Sequence, residues 1–430
     1  MPDYEEIHKR RADREAARKA REERERKQLV RKLTMAAVAL ALVVIVIFSV
    51  ATGNPVQPVV DDTLENGETV EVTESDSPWR QDPTTVIHLA AAGDLNVTDL
   101  VMASGKVAGG YNFNETFIDV AHLFSQADLA VINLEGNFCG APYGSSTTSA
   151  PPELAECLVN LGIDMIQVAN SCTVNNGLLG LNQTLSTIRS MGLEPVGAFA
   201  TPEEFRQSKG YTICEVQGIR IAFVAFTKGV GSLGLPVGSE DCVNLLYTDY
   251  ATTYSQIDEE GIRKVLRAAE NEDPDITIAL LHWGSEHNDE IRSTQGKIVE
   301  LMQEEGVDAI IGTHPHRVHK ITYDEMTGAF VAYSLGDLIG DTSRAGTNYS
   351  IILDLEITMD NDTGATRVTN WSYTPIYTLT EDEGGGKRRV VRIHEAMFAY
   401  ENNFVDRITK AAYDSMANSL TRIEARVKGE

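Results

Sequence analysis

The chain is short of positive charge. Against 63 Asp and Glu it carries 37 Lys and Arg in 430 residues, a formal net charge of −26. The deficit is uneven: residues 1–34 hold twelve Lys/Arg and eight Asp/Glu, which leaves the remainder near −30. A surface that acidic repels phosphates, which argues against nucleic acid as the main partner and disfavours tight docking of the main domain on anionic lipid. Cysteine is scarce as well. The five, at 139, 157, 172, 214 and 242, are odd in number, so at least one thiol is free or pairs between molecules. No internal repeat is visible, which removes solenoid architectures. With 42% hydrophobic residues the composition is otherwise ordinary, so disorder is not the default and a large core is within reach.

Long apolar runs are also absent, with one exception. Leu33–Thr52 (LTMAAVALALVVIVIFSVAT) contains no charge and at helical rise spans a bilayer. Arg31 and Lys32 precede it; Asp61, Asp62 and Glu65 follow. The positive-inside bias therefore puts residues 1–32, a charged solvated tail, in the cytoplasm and the rest of the chain outside the cell membrane. Ser49-Val50-Ala51 is similar to a signal-peptidase site, but the run is longer than a signal core and the tail before it is long, which favours an uncleaved single-pass anchor. Residues 53–83, rich in Pro, Asp, Glu, Thr and Ser, read as a flexible linker.

From Thr84 the pattern changes to strands and helices. Ile276–Leu281 and Ala309–Ile311 have the apolar character of buried parallel strands, with a helical period over Gln295–Glu305 between them. Val86–Ala92, Leu129–Leu134, Met165–Ala169 and Val331–Leu335 are further strands, and Tyr211–Val216 with Ile219–Phe226 form a hairpin around Gln217-Gly218. Ile351–Met359 and Arg367–Thr374 alternate like antiparallel edge strands. Gly177–Met191, Ile257–Ala269 and Phe404–Val427 have helical period. The expectation is an α/β domain over 84–380 with a helical extension, 381–430, packed on it.

The chemistry sits repeatedly just after strands, where an open α/β sheet places its ligands. Gly93-Asp94 follows the first strand, Glu135 the second, Asn170-Ser171-Cys172 the third, and Gly336-Asp337 ends the run from Val331. His282-Trp283-Gly284 and Thr313-His314-Pro315-His316 close the two strands of the central stretch. Asp94, Glu135, His282, His314 and His316 make a mixed carboxylate–imidazole set. Such donors suit first-row metal ions, with Mn, Fe or Zn the best matches, better than Mg or Ca alone. Each residue alone is more often structural; the set is the signal. Glu286 is placed to orient His282, and His287 is expected in solvent. Arg317 and His319 flank the histidine pair, where they either meet an anionic substrate or lie on the surface.

The motifs Gly93-Asp94, Asn133-Leu134-Glu135, His282-Trp283-Gly284-x-Glu286, Gly312-Thr313-His314-Pro315-His316 and Tyr333-Ser334-Leu335-Gly336 occur in order. Together they resemble those of the CapA-type proteins of poly-γ-glutamate capsule biosynthesis, a family related to the calcineurin-like metallophosphoesterases. The resemblance covers about Val86 to Asp341. It implies a four-layer α/β/β/α sandwich with a metal cleft at the strand ends, in which the two carboxylates and three imidazoles are metal ligands. One stretch departs from the family pattern Asn-Asn-His-x-x-Asp-x-Gly. Here it reads Asn170, Ser171, Cys172, Thr173, Val174, Asn175, Asn176, Gly177. Ser171 replaces an amide expected to help hold metal, Cys172 the imidazole expected to act as acid or phosphate contact, and Asn175 its carboxylate partner. A neutral thiol lacks an imidazolium's charge, although a thiolate is a nucleophile and a soft ligand.

Three functions follow. The first is a membrane-anchored protein of synthesis, anchoring or export of poly-γ-glutamate or a related anionic envelope polymer, with polymer synthase subunits as possible partners. Lys228, Arg317, Lys320 and Arg344 would then screen the cleft from the acidic remainder. The second is a metal-dependent phosphoesterase or hydrolase with Cys172 at its reacting centre. The third is a binding module that has kept the fold and lost the chemistry. Cys139 and Cys157, either side of the Gly/Pro/Ser-rich insertion Gly140–Pro152, are the expected disulfide, with Cys172 left free.

Overall fold

The computed structural model describes residues 83–231, 234–404 and 408–430. The charged tail, the apolar run Leu33–Thr52 and the linker up to residue 82 lie outside the described residues, and so does the anchor expected there. Among the described residues no helix is long and apolar enough to cross a membrane.

In chain order the first strands are β1 (Thr84–Asn96), a short hairpin of β2 (Lys106–Val107) and β3 (Gly110–Tyr111), β4 (Leu129–Glu135), β5 (Met165–Gln167) and β6 (Glu194–Val196). Next come β7 (Tyr211–Val216), β8 (Ile219–Thr227), β9 (Ile276–His282), β10 (Ala309–Thr313), β11 (Ile321–Tyr323) and β12 (Phe330–Ala332). The last are β13 (Asp337–Ile339), β14 (Tyr349–Asp360), β15 (Thr366–Leu379) and β16 (Arg389–Arg392). They make an α/β fold with two mixed sheets. One runs β16-β15-β14-β1-β4-β5-β6, with β13 paired to β1; the other runs β11-β12-β10-β9-β8-β7.

Side-chain alternation explains how the second sheet packs. Ile221, Phe223, Ile276, Ile278, Leu280 and Ile311 share a core with the first sheet. Their neighbours Ala222, Val224, Ala279, Leu281 and Ile310 turn the other way, onto Ile262, Leu266, Ile298 and Met302. Those four line the helices Glu259–Glu270 and Ser293–Glu304. A strand buried on both faces reads as a continuous apolar run, which is why Ile276–Leu281 was legible as parallel sheet.

Several expectations shift. β1 does not stop at Ala92; it continues through Asp94 to Asn96 with an irregularity before Asp94, where it meets β4 and β13. Gly93 permits this, because a Cβ there would sit 1.7 Å from the Gly336 carbonyl oxygen. The run Val331–Leu335 is shorter as a strand, ending at Ala332. β14 is not an edge strand: β1 and β15 pair on its two sides, and its first half is buried. The helix expected over Phe404–Val427 starts later, as Lys410–Lys428, and a further helix, Ile393–Glu401, precedes it, with Phe404 exposed between them. The expected Cys139–Cys157 bridge is absent, and among the described residues no cysteine forms a disulfide. The helix Pro152–Leu161 turns Cys157 into the core, where burial pushes its thiol up to about 12. The Cys139 Cβ instead lies near the helix Gly177–Ser190, at Gly180.

Before each of four parallel strands stands an aspartate with one task. Asp128, Asp164, Asp275 and Asp308 precede β4, β5, β9 and β10. Their backbone N–H groups donate to the carbonyls of His88, Ala130, Arg220 and Thr277 on the adjacent strands. Their carboxylates accept the N–H groups of those same four residues, at 2.9, 3.0, 2.6 and 2.8 Å. The amino ends of both sheets are thereby fixed in register.

Candidate metal centre

The opposite, carboxyl ends of the strands bring the five predicted donors together. Asp94 comes from β1, Glu135 from the last position of β4, His282 from the last position of β9, and His314 and His316 from the turn after β10. All five are buried. Ligand atoms of Glu135, His282 and His314 lie within 4.8 Å of one another, and so do those of Asp94, Glu135 and His316. Glu135 belongs to both groups, the position of a bridging carboxylate.

The backbone there is held in uncommon conformations. His314 and His316 have φ values of 95° and 57°. For non-glycine residues such angles cost on the order of 1–3 kcal/mol each and persist where the surroundings impose them. Trp283 supplies one such constraint: it is fully buried, donates its indole N–H to the Tyr333 carbonyl at 2.9 Å, and stacks on the Tyr333 ring.

Each donor is oriented by a partner. Asp94 accepts from the Asn133 side-chain amide at 2.6 Å and from the His314 backbone N–H at 3.0 Å. Asn133 is fixed in turn by Asn170, whose amide donates to the Asn133 side-chain oxygen at 3.0 Å and to the Leu134 carbonyl at 2.7 Å. The Nε2 of His282 lies 2.9 Å from Glu135 Oε1 and 2.9 Å from Ser171 Oγ, while its Nδ1 is 3.2 Å from Thr313 Oγ1. His316 Nδ1 lies 2.8 Å from Asp337 Oδ1 and 3.4 Å from Asp94 Oδ2; its Nε2 is 3.6 Å from Glu135 Oε2. Lys228 closes the rim, its Nζ 2.9 Å from the Gly284 carbonyl and 3.3 Å from His314 Nε2.

The electrostatics push the groups of the pocket in opposite directions. Burial alone would lower His316, yet Asp337 and Glu135 raise it well above the usual imidazole range. Burial pushes Asp337 up to about 7 against the pull of His316, with Asp94 and Glu135 adding to the rise. Burial, helped by His282 and Lys228, drives His314 well below its ordinary value, so it is a neutral imidazole. Its Nδ1 has no hydrogen-bond partner among the described residues. Three buried carboxylates converging on a neutral imidazole with an unused nitrogen fit a bound cation.

Two predicted positions fall elsewhere. Glu286 is exposed, and the polar groups around the His282 ring come from Ser171, Thr313, Asn133, Asp94 and Glu135 instead. His287, expected in solvent, is half-buried with its ring 5.1 Å from that of His316. Cys172 lies beside the cluster. Burial, with the charges of Glu135 and Asp94, holds its thiol well above its usual value, in contact with Thr148. Arg317 pairs with Asp289 at 3.1 Å.

Asp337, which touches His316, is not among the five predicted donors. A signal was there: Gly336-Asp337 repeats the Gly93-Asp94 dipeptide, and the two aspartates are register partners in parallel strands. Asn133 and Thr313 stood inside quoted motifs without a role, because a neutral side chain carries no signature of a site.

Against known proteins, the family described as bacterial capsule synthesis protein PGA_cap matches residues 88–342. The chain belongs to this family. The capsule biosynthesis protein CapA of Bacillus anthracis is 24% identical over 215 residues, covering 50% of this chain and 49% of that protein. The PGA biosynthesis protein CapA of Bacillus subtilis (strain 168) is 25% identical over 217 residues, 50% of this chain and 53% of that protein. The chain thus spans about half the length of the curated relatives it matches. Among solved structures, the calcineurin-like phosphoesterase YfkN of Bacillus subtilis aligns with a TM-score of 0.41 and 16% identity, covering 80% of this chain and 98% of that one. A phosphatase from Mycoplasma pneumoniae aligns with a TM-score of 0.40 and 14% identity over 68% of this chain and 94% of that one.

Proposed function

We infer that this PGA_cap protein is a metal-binding component of envelope polymer handling. It acts in synthesis, anchoring or export of poly-γ-glutamate or a related anionic polymer. Leu33–Thr52 is its membrane anchor, with the N-terminus in the cytoplasm and the α/β domain outside. The observation that carries the reading is the convergence of Asp94, Glu135, His282, His314 and His316 in a chain of this family. Packing of one sheet on the other, with helices over the outer face of the second, supports the α/β/β/α sandwich.

Asp94, Glu135 and His316 would hold one ion, and Glu135, His282 and His314 a second. The mixed oxygen and nitrogen donors favour Mn, Fe or Zn. Such an ion supplies Lewis acidity toward an oxyanion and lowers the pKa of a water. The protein's own groups set the rest: Asp337 fixes the His316 ring, Ser171 and Thr313 hold His282, and Asn170 through Asn133 aims Asp94. Synthase subunits are the proposed protein partners; nucleic acid is not.

A second reading, a binding module without hydrolysis, is favoured by one observation. Cys172 occupies the position where the family pattern has an imidazole, and its buried thiol is neutral. It provides neither a charged acid nor a thiolate nucleophile. Deletion of the gene tests the first reading: surface polymer should fall, and wild type but not a His282→Ala/His314→Ala double variant should restore it. Polymer unchanged in amount and attachment would end it. Metal analysis of protein purified without chelator, followed by a phosphate, ester and amide panel, separates hydrolase from binding module.

A further inference from the structure

The two donor groups of the candidate metal centre share Glu135 but differ in what surrounds them. Among the described residues, the ion pairs of Asp94 and Glu135 are with His282 and His316, so no lysine or arginine pairs with the carboxylates of the Asp94–Glu135–His316 group. The Glu135–His282–His314 group has a cation of its own. The half-buried Lys228 puts its Nζ 3.3 Å from His314 Nε2.

Lys228 is held there from both ends. It directly follows β8, and its backbone N–H donates to the His282 carbonyl at 2.8 Å. Its main chain is thereby tied to the strand that carries a donor of the same group. At the far end the ammonium meets the Gly284 carbonyl oxygen at 2.9 Å and lies 4.4 Å from the centre of the Tyr254 ring.

The contact with His314 has a chemical consequence. An ammonium has three protons and no lone pair, so here it donates and Nε2 accepts. A metal ion also needs a lone pair on an imidazole nitrogen. An ion on Nε2 would take the lone pair that Lys228 uses. An ion on Nδ1 would leave the ring proton on Nε2, with an N–H pointing at the ammonium. Either choice breaks the contact, and a dication in this group adds repulsion between like charges.

We propose that Lys228 is the resident cation of the Glu135–His282–His314 group and thereby sets how many ions the centre retains. One ion is held by Asp94, Glu135 and His316, and a second enters only as Lys228 gives way. The proposal rests on the metal-centre reading above and assigns its stoichiometry. His282 serves both groups, because its Nε2 lies 2.9 Å from the shared Glu135. The centre then offers an anion one Lewis-acidic ion and one ammonium, where a two-ion centre would offer two ions.

The test is equilibrium dialysis of the full chain in detergent, stripped with chelator and returned to buffers of fixed free Mn²⁺ or Zn²⁺. Elemental analysis reads the ions per chain. Wild type should level at one. Lys228→Met removes the charge; Lys228→Gln removes it and keeps an amide donor for the Gly284 carbonyl. Both should level at two, the second ion binding at least about tenfold more tightly than in wild type. Adding His314→Ala to either variant should return the count to one, which places the second ion. Both Lys228 variants levelling at one overturns the role of Lys228 and leaves the metal-centre reading standing. Wild type levelling at two ions of similar affinity overturns it as well. No ion of either kind in wild type or variants overturns this proposal and the metal-centre reading together.

Discussion

At the carboxyl ends of β1 and β4 the carboxylates of Asp94 and Glu135 face imidazoles across a buried pocket. At the amino ends of β4, β5, β9 and β10 the carboxylates of Asp128, Asp164, Asp275 and Asp308 face backbone N–H groups of the next strand. Both sets are acidic residues beside short apolar strands, yet their partners differ in kind. At the amino end each carboxylate is met by a backbone N–H group that the fold already supplies, and Asp128 by the Gln217 side-chain amide as well. At the carboxyl end carboxylates crowd one another around buried imidazoles, and burial with Asp94 and Glu135 nearby holds Asp337 well above the usual carboxylate range. An acidic residue is therefore not functional because it borders a strand. It is functional where its neighbours leave it unsatisfied.

The largest expected effect follows from that contrast. Asp94→Asn, or His282→Ala, should cut the metal retained by protein purified without chelator by tenfold or more, measured by elemental analysis, with far-ultraviolet circular dichroism unchanged. Asp164→Asn at the opposite end should leave metal content untouched. Equal metal in the Asp94 and Asp164 variants would erase the distinction between the two ends. Asp337→Asn sharpens it. The amide still reaches His316 but lacks the charge that fixes and polarises the ring, so metal affinity should fall by roughly 10–100-fold, as is usual for partners of ligating histidines. Competition with a fluorescent chelator gives the number. An unchanged affinity would make Asp337 a packing residue.

Much of the carboxyl end was legible because its residue types are unusual after strands. A histidine following Ile276–Leu281, and two more after Ala309–Ile311, break an apolar pattern abruptly and demand a reason. The amino-end row was illegible for the opposite cause. Ala-Asp-Leu at 127–129 and Val-Asp-Ala at 307–309 look like ordinary turns, since aspartate is a common turn residue. Only the structure shows the same two-bond pairing four times. The helical extension was visible in part: its period predicted the last helix, with a start several residues too early, but not the helix Ile393–Glu401 before it. The Cys139–Cys157 expectation failed on geometry. Flanking the same insertion says nothing about which way a helix turns a side chain, and Cys157 faces the core.

Asp164→Ala tests the structural half directly. It removes the acceptor of the Ala130 N–H group between β4 and β5 and should cost about 2 kcal/mol. Chemical denaturation should then show a lower midpoint at unchanged slope. Asp164→Asn retains a carbonyl acceptor and should cost less than half as much. An alanine variant as stable as wild type would mean the paired bonds hold nothing that solvent does not replace.

Asp308 is the member of the row where the structural duty conflicts with charge. Burial, against the bond from Thr277 and with Glu270 nearby, pushes its carboxyl up from 3.8 to about 6. Between those values the folded chain keeps a proton that the unfolded chain has released. Stability from this group therefore falls as pH rises from about 4 to 6 and stays reduced above it. Asp308→Asn keeps an acceptor for the Thr277 N–H group and removes the ionisation. Its stability relative to wild type should rise across that window by about 3 kcal/mol, read as a higher relative melting temperature at pH 7. Differential scanning calorimetry of both proteins at pH 4.5 and 7 measures it. A difference independent of pH would show that Asp308 is ionised in the fold at both values, and that its environment differs little from that of the other three.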